Sequence, residues 1–97
     1  DKEYFDLGWS CEFVEHVEQK YVDNFMQAFA LCKIVVMTYA PVGKEGHHHV
    51  NCNTQQYWID MFADYGLNYN AEQTKFIRAN SNMKQNFLRE YGLCFDR

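Results

Sequence analysis

The spacing of apolar and polar residues predicts strands and helices that alternate along the chain. The first stretch, from Tyr4 to Ser10, is short, aromatic and apolar, which is typical of a strand. From Glu12 to Cys32, apolar residues recur at steps of three and four, which indicates a short helix followed by a main one. Residues 33–40 are almost continuously apolar and rich in β-branched side chains, a pattern typical of a strand that is buried on both faces.

A loop and a second main helix follow this run. Residues 42–53 contain two glycines and three consecutive histidines, and they are predicted to form the loop. Asn53 is the predicted N-cap of the helix, and Gly66 is placed to end it. The predicted buried stripe of this helix consists of Tyr57, Trp58, Met61, Phe62 and Tyr65.

The remaining residues complete one α/β unit. A short extended piece over 67–70 leads to a helix over 71–79 that Asn70 caps, and a last strand is predicted over 92–96. The predicted order is β-α-β-α-β-α-β, with about four strands and three or four helices. No linker or repeat divides the chain, so residues 1–97 are predicted to form a single unit.

Composition restricts the partners that this unit is expected to have. The 97 residues carry eight Phe, seven Tyr and two Trp, and a chain this small is expected to leave some of these rings exposed unless a partner covers them. The net charge is −4 and the basic residues are scattered, so nucleic-acid binding is not expected. The longest apolar run, residues 34–40, is far too short to span a membrane.

The four cysteines have two interpretations. In a short secreted chain, four cysteines indicate two disulfides. Here the sequence begins Asp-Lys-Glu rather than with a basic and apolar signal segment, and Cys32 and Cys94 have apolar neighbours along the chain. These features favour free thiols and a cytoplasmic location.

Acidic residues and a histidine follow the first strand, where open α/β sheets bind their ligands. Glu12 and Glu15, or Glu12 and His16, can share one helical face and act as acid, base or metal ligands. The alternative is that the acidic residues only favour the first turn of a helix through its dipole. Cys11 at such a helix start is a candidate nucleophile, with His16 or a loop histidine as its base.

Three consecutive histidines, His47, His48 and His49, lie in the predicted loop. Adjacent side chains diverge, so three in a row rarely supply three ligands to one ion. A metal site would combine one or two of them with Glu12, Glu15 or His16. Alternatively, the loop histidines pack, form hydrogen bonds or contact a substrate.

The segment YFDLGWSCEFVEHV resembles the fourth strand and the following helix of class I S-adenosylmethionine-dependent methyltransferases. KIVVMTYAPVG resembles the fifth strand of that family, and GHHHVN with YWIDMFADYGL resembles a loop and helix that some members place over the active site. LNYN and GLCFDR resemble the sixth and seventh strands, of which the seventh is antiparallel. The family's glycine-rich cofactor loop has no counterpart in this sequence, so the chain resembles a carboxy-terminal half.

This resemblance implies a partial Rossmann-like sheet and S-adenosylmethionine as the cofactor, with weak or absent binding by these 97 residues alone. It places Ser10, Cys11 and Glu12 near the methionine or methyl end of the cofactor. It makes His16 or His48 the candidate general base. The candidates for the side of an unknown small-molecule acceptor are His47, His49 and Asn51.

The resemblance also implies an open sheet edge. The family places its fourth strand between its first and fifth, so the strand from Tyr4 to Ser10 is expected to lack a neighbour on one side. Such an edge favours pairing with another chain, and we expect a symmetric homo-oligomer through it. The alternatives to a methyltransferase are a non-catalytic oligomerisation module and a metal site on the loop of His47, His48 and His49.

Overall fold

A computed structural model describes residues 3–97 and shows the predicted alternation of strands and helices. The strands in this range are β1 (Phe5–Ser10), β2 (Cys32–Thr38), β3 (Asn68–Tyr69) and β4 (Gly92–Asp96). The α-helices in the same range are α1 (Val22–Phe29), α2 (Gln55–Asp64), α3 (Ala71–Asn80) and α4 (Phe87–Tyr91). Two single turns of 3-10 helix, Val14–His16 and Gln19–Tyr21, precede α1.

The four strands form one mixed sheet in the order β1-β2-β4-β3. β1 and β2 are parallel, with Leu7 opposite Ile34. β4 is antiparallel to both of its neighbours, and Phe95 lies opposite both Val35 and Tyr69. The predicted α/β class, the number of strands and the antiparallel last strand are therefore confirmed, and β1 lies at an edge of the described sheet.

The core lies where α1 and α2 pack against the sheet. Met26, Trp58 and Phe62 are fully buried there together with Val35 and Phe95. The rings of Phe62 and Phe95 stack with their centroids 4.0 Å apart. Four consecutive residues of β4 are buried, and since side chains alternate along a strand, both faces of β4 are covered.

The cap of α2 differs from the prediction by one residue. Thr54 is the N-cap, and its hydroxyl oxygen accepts a hydrogen bond from the Tyr57 N–H at 3.0 Å. Asn53 is not the cap because its N–H donates to the Ala40 carbonyl and its side chain donates to Asn51. The two other predicted helix signals are confirmed, since Gly66 ends α2 with a φ of +84° and Asn70 caps α3.

The segment after β1 is also different, because no α-helix begins there. Glu12 has a left-handed backbone with a φ of 56°, and its N–H donates to the Thr38 hydroxyl at 2.8 Å. The predicted short helix is a single 3-10 turn, Val14–His16, and the main helix α1 begins only at Val22.

β1 exposes apolar side chains, as expected for an edge strand of a small aromatic-rich domain. Phe5, Leu7 and Trp9 alternate along the strand and are 68%, 56% and 53% exposed. Ile34 on β2, opposite Leu7, is also exposed, so the prediction that this strand is buried on both faces is wrong at this position. The reason is that the part of the sheet that packs into the core lies nearer to β4 than to the β1 edge.

The cysteines and the hydropathy complete the description of the fold. All four cysteines lie within the described residues and are free thiols; Cys32 and Cys94 are buried, and Cys11 and Cys52 are half-buried. From residue 3 to residue 97, no helix combines the length and apolar composition that a bilayer crossing requires.

Candidate functional site

The turn that follows β1 and the loop that precedes α2 meet beside the ends of β1 and β2. We call residues 11–17 the β1 turn and residues 42–53 the histidine loop. The backbone carbonyl of Glu15 accepts hydrogen bonds from the N–H groups of Val50 at 2.9 Å and Asn51 at 3.0 Å. Because one carbonyl holds two successive loop N–H groups, the histidine loop is fixed against the β1 turn.

Four side chains with metal-ligating or proton-transferring groups converge at this junction. One ligand atom from each lies within 4.8 Å of the ligand atoms of all the others. This set, which we call the carboxylate–histidine cluster, consists of Glu12, Glu15, His16 and His49. The structure therefore brings together three residues of the β1 turn and one loop histidine, a combination that the sequence named as an alternative.

Both histidines of the cluster are oriented by backbone carbonyls. Nδ1 of His16 lies 3.0 Å from the His48 carbonyl oxygen, and Nδ1 of His49 lies 3.2 Å from the Lys44 carbonyl oxygen. A carbonyl oxygen can only accept a hydrogen bond, so Nδ1 is the protonated nitrogen in each ring. Nε2 of each neutral ring consequently carries the free lone pair, and the two ring centroids are 4.9 Å apart.

Glu15 is the most unusual member of the cluster. Its side chain is fully buried, and neither carboxylate oxygen has a well-formed hydrogen bond among the described residues, although its own backbone N–H and the Glu12 carboxylate lie close to it. Oε2 lies 3.8 Å from Nε2 of His16. Burial raises the pKa of Glu15, and the neighbouring Glu12 carboxylate raises it further, against the opposing effects of its own backbone N–H and His16. A buried carboxylate without well-formed hydrogen bonds is costly, so this position calls for an explanation.

Ser10 and Cys11 border an open cavity of 480 Å³ on the other side of the β1 turn. Ser10 is buried, and its hydroxyl has no hydrogen-bond partner among residues 3–97. Burial raises the pKa of the Cys11 thiol, and the Glu12 and Glu15 carboxylates raise this pKa further. A hydrogen bond with Thr38 has the opposite, lowering effect. A raised pKa and the absence of a helix start in the described turn both argue against Cys11 as an activated nucleophile.

The other loop residues named by the sequence have different positions. His47 and His48 are exposed and lie outside the cluster, although the His48 carbonyl orients His16. Asn51 is buried, and its Oδ1 accepts a hydrogen bond from Asn53, so it braces the loop. Of the three predicted acceptor-side residues, only His49 joins the carboxylates.

Two residues at the site escaped the sequence interpretation. A Cβ on Gly46 would lie 2.4 Å from the His49 ring, so a side chain at position 46 would displace this ring. Thr38, at the end of β2, accepts the hydrogen bond from the Glu12 N–H. In the sequence, Gly46 indicates only a loop, and Thr38 is only one residue of an apolar run.

The arrangement supports two kinds of chemistry. No protein-family model, curated protein or solved structure matches the chain, so function is inferred from the geometry. An imidazole with a free Nε2 can accept a proton near neutral pH. Two carboxylates and two imidazoles at this separation can also hold a divalent cation.

Proposed function

We propose that these residues are the carboxy-terminal part of an S-adenosylmethionine-dependent methyltransferase domain and supply its acceptor side. The observation that carries the proposal is the sheet. β1 pairs in parallel with β2, the last strand is antiparallel, and among the described residues β1 has no second neighbour on the side where the resembled family places its first strand. The β1 turn and the histidine loop then lie at the end of the sheet where α/β folds bind ligands.

The residues at the end of β1 fit the cofactor that the resemblance implies. The Ser10 hydroxyl is a buried polar group in need of a partner, and the adjoining cavity has aromatic walls that include Trp9, Phe13 and Phe25. Ser10, Cys11 and Glu12 would hold the methionine or methyl end. When bound, S-adenosylmethionine supplies an electrophilic methyl group on its sulfonium.

The chain's own contribution is orientation of the acceptor and removal of its proton. His16 is the better of the two proposed bases, because its Nδ1 donates to the His48 carbonyl and its Nε2 is free to accept a proton. His48 is exposed and contributes its backbone, so its imidazole has no comparable orientation. Holding an acceptor hydroxyl or amine in line with the methyl group is itself a large part of such catalysis.

Photo-crosslinking tests this proposal on the complete protein encoded by the gene that contains these residues. Tritiated S-adenosylmethionine should label the tryptic peptide that runs from Glu3 to Lys20, and excess unlabelled S-adenosylhomocysteine should prevent labelling. Ser10→Ala should reduce the label, whereas the matched substitution Ser81→Ala, at the end of α3, should leave it unchanged. A folded complete protein that binds neither compound in calorimetry would refute the proposal. Tight binding by residues 1–97 alone would refute the half-domain assignment.

A second candidate is a non-catalytic oligomerisation module. The exposed apolar side chains of Phe5, Leu7 and Trp9 on an open strand edge favour it. The same binding measurement separates the two candidates. A complete protein that self-associates through β1 and binds no S-adenosylmethionine supports the module, and one that binds the cofactor supports the enzyme.

A further inference from the structure

We propose that the carboxylate–histidine cluster binds one divalent transition-metal ion. The cluster joins the β1 turn to the histidine loop, so a metal ion here would also hold these two segments together. The proposal rests on the positions and surroundings of four side chains and does not require the methyltransferase proposal. An ion bound here would occupy Nε2 of His16 and so exclude His16 as the general base, whereas cofactor binding is tested separately.

The ligand atoms are close enough for small side-chain rotations to form a site. Four ligands at about 2.1 Å from a tetrahedral ion lie about 3.4 Å from one another. The ligand atoms of the cluster lie within 4.8 Å of one another, so the widest pair has to approach by at most about 1.4 Å. Rotation of the half-buried Glu12 and His49 side chains can supply this change, while Glu15 remains fixed in the interior.

The histidines already have the orientation of metal ligands. A ligating histidine usually donates its second ring N–H to a carbonyl or carboxylate, which fixes the tautomer and strengthens the ligating nitrogen. Both His16 and His49 show this arrangement, with Nδ1 on the backbone carbonyls of His48 and Lys44. These contacts explain why a loop with three histidines would place only one of them in the site.

Glu15 supplies the observation that points directly to a ligand. A fully buried carboxylate whose oxygens lack well-formed hydrogen bonds is costly, and among the described residues neither a lysine nor an arginine forms an ion pair with it. Nε2 of His16 lies 3.8 Å from Oε2. A bound cation would satisfy these oxygens. The +2 charge of the ion would also balance the charges of Glu12 and Glu15, which otherwise repel each other.

The donor types identify the class of ion. Mg²⁺ and Ca²⁺ take oxygen ligands, whereas two imidazole nitrogens suit Zn²⁺, Fe²⁺, Co²⁺ or Mn²⁺. The mixture of two oxygens and two nitrogens fits the transition series from Mn²⁺ to Zn²⁺. We therefore expect Zn²⁺ to bind and Mg²⁺ at millimolar concentration not to displace it.

Calorimetric titration of the metal-free chain with Zn²⁺ tests the site. We expect one ion per chain, and His49→Ala and Glu15→Gln should each weaken binding by at least about tenfold. The matched controls His47→Ala and Glu45→Gln change exposed residues of the same loop and should leave affinity within about twofold. Circular dichroism and thermal unfolding in EDTA show whether each variant is folded. Glu15→Gln should unfold at the same or a higher temperature than wild type in EDTA, and at a lower one in saturating Zn²⁺.

Two further measurements separate this ligand set from other sites. Gly46→Ala keeps all four ligands but places a Cβ against the His49 ring, so it should also weaken binding by at least about tenfold. Co²⁺ should bind without a thiolate-to-cobalt charge-transfer band, because no cysteine belongs to the cluster. Failure of folded wild type to bind Zn²⁺, Co²⁺ or Mn²⁺ would overturn the proposal. So would a cobalt–thiolate band, or equal losses in His47→Ala and His49→Ala.

Discussion

The left-handed backbone of Glu12 determines where the residues after β1 can point. At a φ of 56° the chain turns instead of continuing into an α-helix, and the Glu15 carbonyl comes to lie under the histidine loop. Such a conformation in a residue other than glycine costs roughly 1 kcal/mol or more. The hydrogen bond from the Glu12 N–H to the Thr38 hydroxyl offsets part of that cost, and it ties the turn to the end of β2.

Cys11, next to this turn, gives a prediction about reactivity. Burial and the two neighbouring carboxylates raise the pKa of its thiol, so less thiolate is present at pH 8 than in an unfolded chain. We expect iodoacetamide to alkylate Cys11 at least about threefold more slowly in the folded, metal-free protein than in urea. The rate should rise as pH increases towards the raised pKa. Peptide mapping by mass spectrometry measures this rate at each cysteine separately.

The buried Cys94 is the internal comparison in this experiment. Burial, with the added effect of Asp96, raises the pKa of its thiol, and its side chain has almost no exposure, so its protection should exceed that of Cys11. Faster alkylation of Cys11 in the folded protein than in urea would contradict the prediction. That result would restore Cys11 as a candidate nucleophile.

At the scale of elements, β1 and β2 approach each other closely at Gly8. A Cβ at this position would lie 2.9 Å from Sγ of Cys32 and 3.3 Å from a methyl carbon of Val35. The buried Cys32 thiol therefore occupies space that a larger residue at position 8 would need. The residue that β1 can carry at position 8 therefore depends on the size of the β2 residue at position 32.

This contact predicts a rescue. Gly8→Ala should lower the free energy of unfolding by about 1–3 kcal/mol, because the neighbouring core atoms have little room to move. Cys32→Ala removes the sulfur, so the double variant Gly8→Ala/Cys32→Ala should be more stable than the sum of the single changes implies. Urea unfolding of the four proteins measures the coupling. Strict additivity would show that the Cys32 sulfur does not limit the space at Gly8.

The elements that could be predicted are those in which many residues contribute to one pattern. The apolar run of β2 and the two-sided burial of β4 specify a sheet core. This core does not depend on the exact residues at which the strands and helices begin and end. Single hydrogen bonds decided the remainder. The bond from the Asn53 N–H to Ala40 moved the α2 cap to Thr54, and the bond from Glu12 to Thr38 replaced a helix start by a turn.

The candidate site divides in the same way. Glu12, Glu15 and His16 are close in sequence, so any tight turn after β1 brings them together, and the spacing identified them. The choice of His49 from three adjacent histidines depends on the space left by Gly46 and on the Lys44 carbonyl. Neither contact leaves a periodic signal in the sequence. The burial of Glu15 is likewise a property of the assembled loop and turn.

At the scale of the whole molecule, several of the exposed large apolar side chains lie on or just after the strand at the edge of the described sheet. Phe5, Leu7 and Trp9 project from the edge strand, and Phe13 and Tyr21 follow it in the chain. One side of β1 pairs with β2, and in the described structure its other side presents unpaired backbone N–H and C=O groups. A strand with both a free backbone edge and an apolar face favours association with another strand.

The 97-residue chain is therefore expected to self-associate through β1. Pairing of two β1 strands about a twofold axis would satisfy both backbone edges and bring the Phe5, Leu7 and Trp9 side chains of two copies together. Sedimentation velocity at 5–100 µM, roughly the range in which such edges associate, should show a dimer. Leu7→Lys should shift the chain to monomer, since a charge on an edge strand opposes pairing. Val42→Lys is the matched control, because Val42 is 70% exposed but lies in the histidine loop. A wild-type chain that is monomeric throughout this range, or equal effects of the two lysine substitutions, would show that the β1 edge is not the contact.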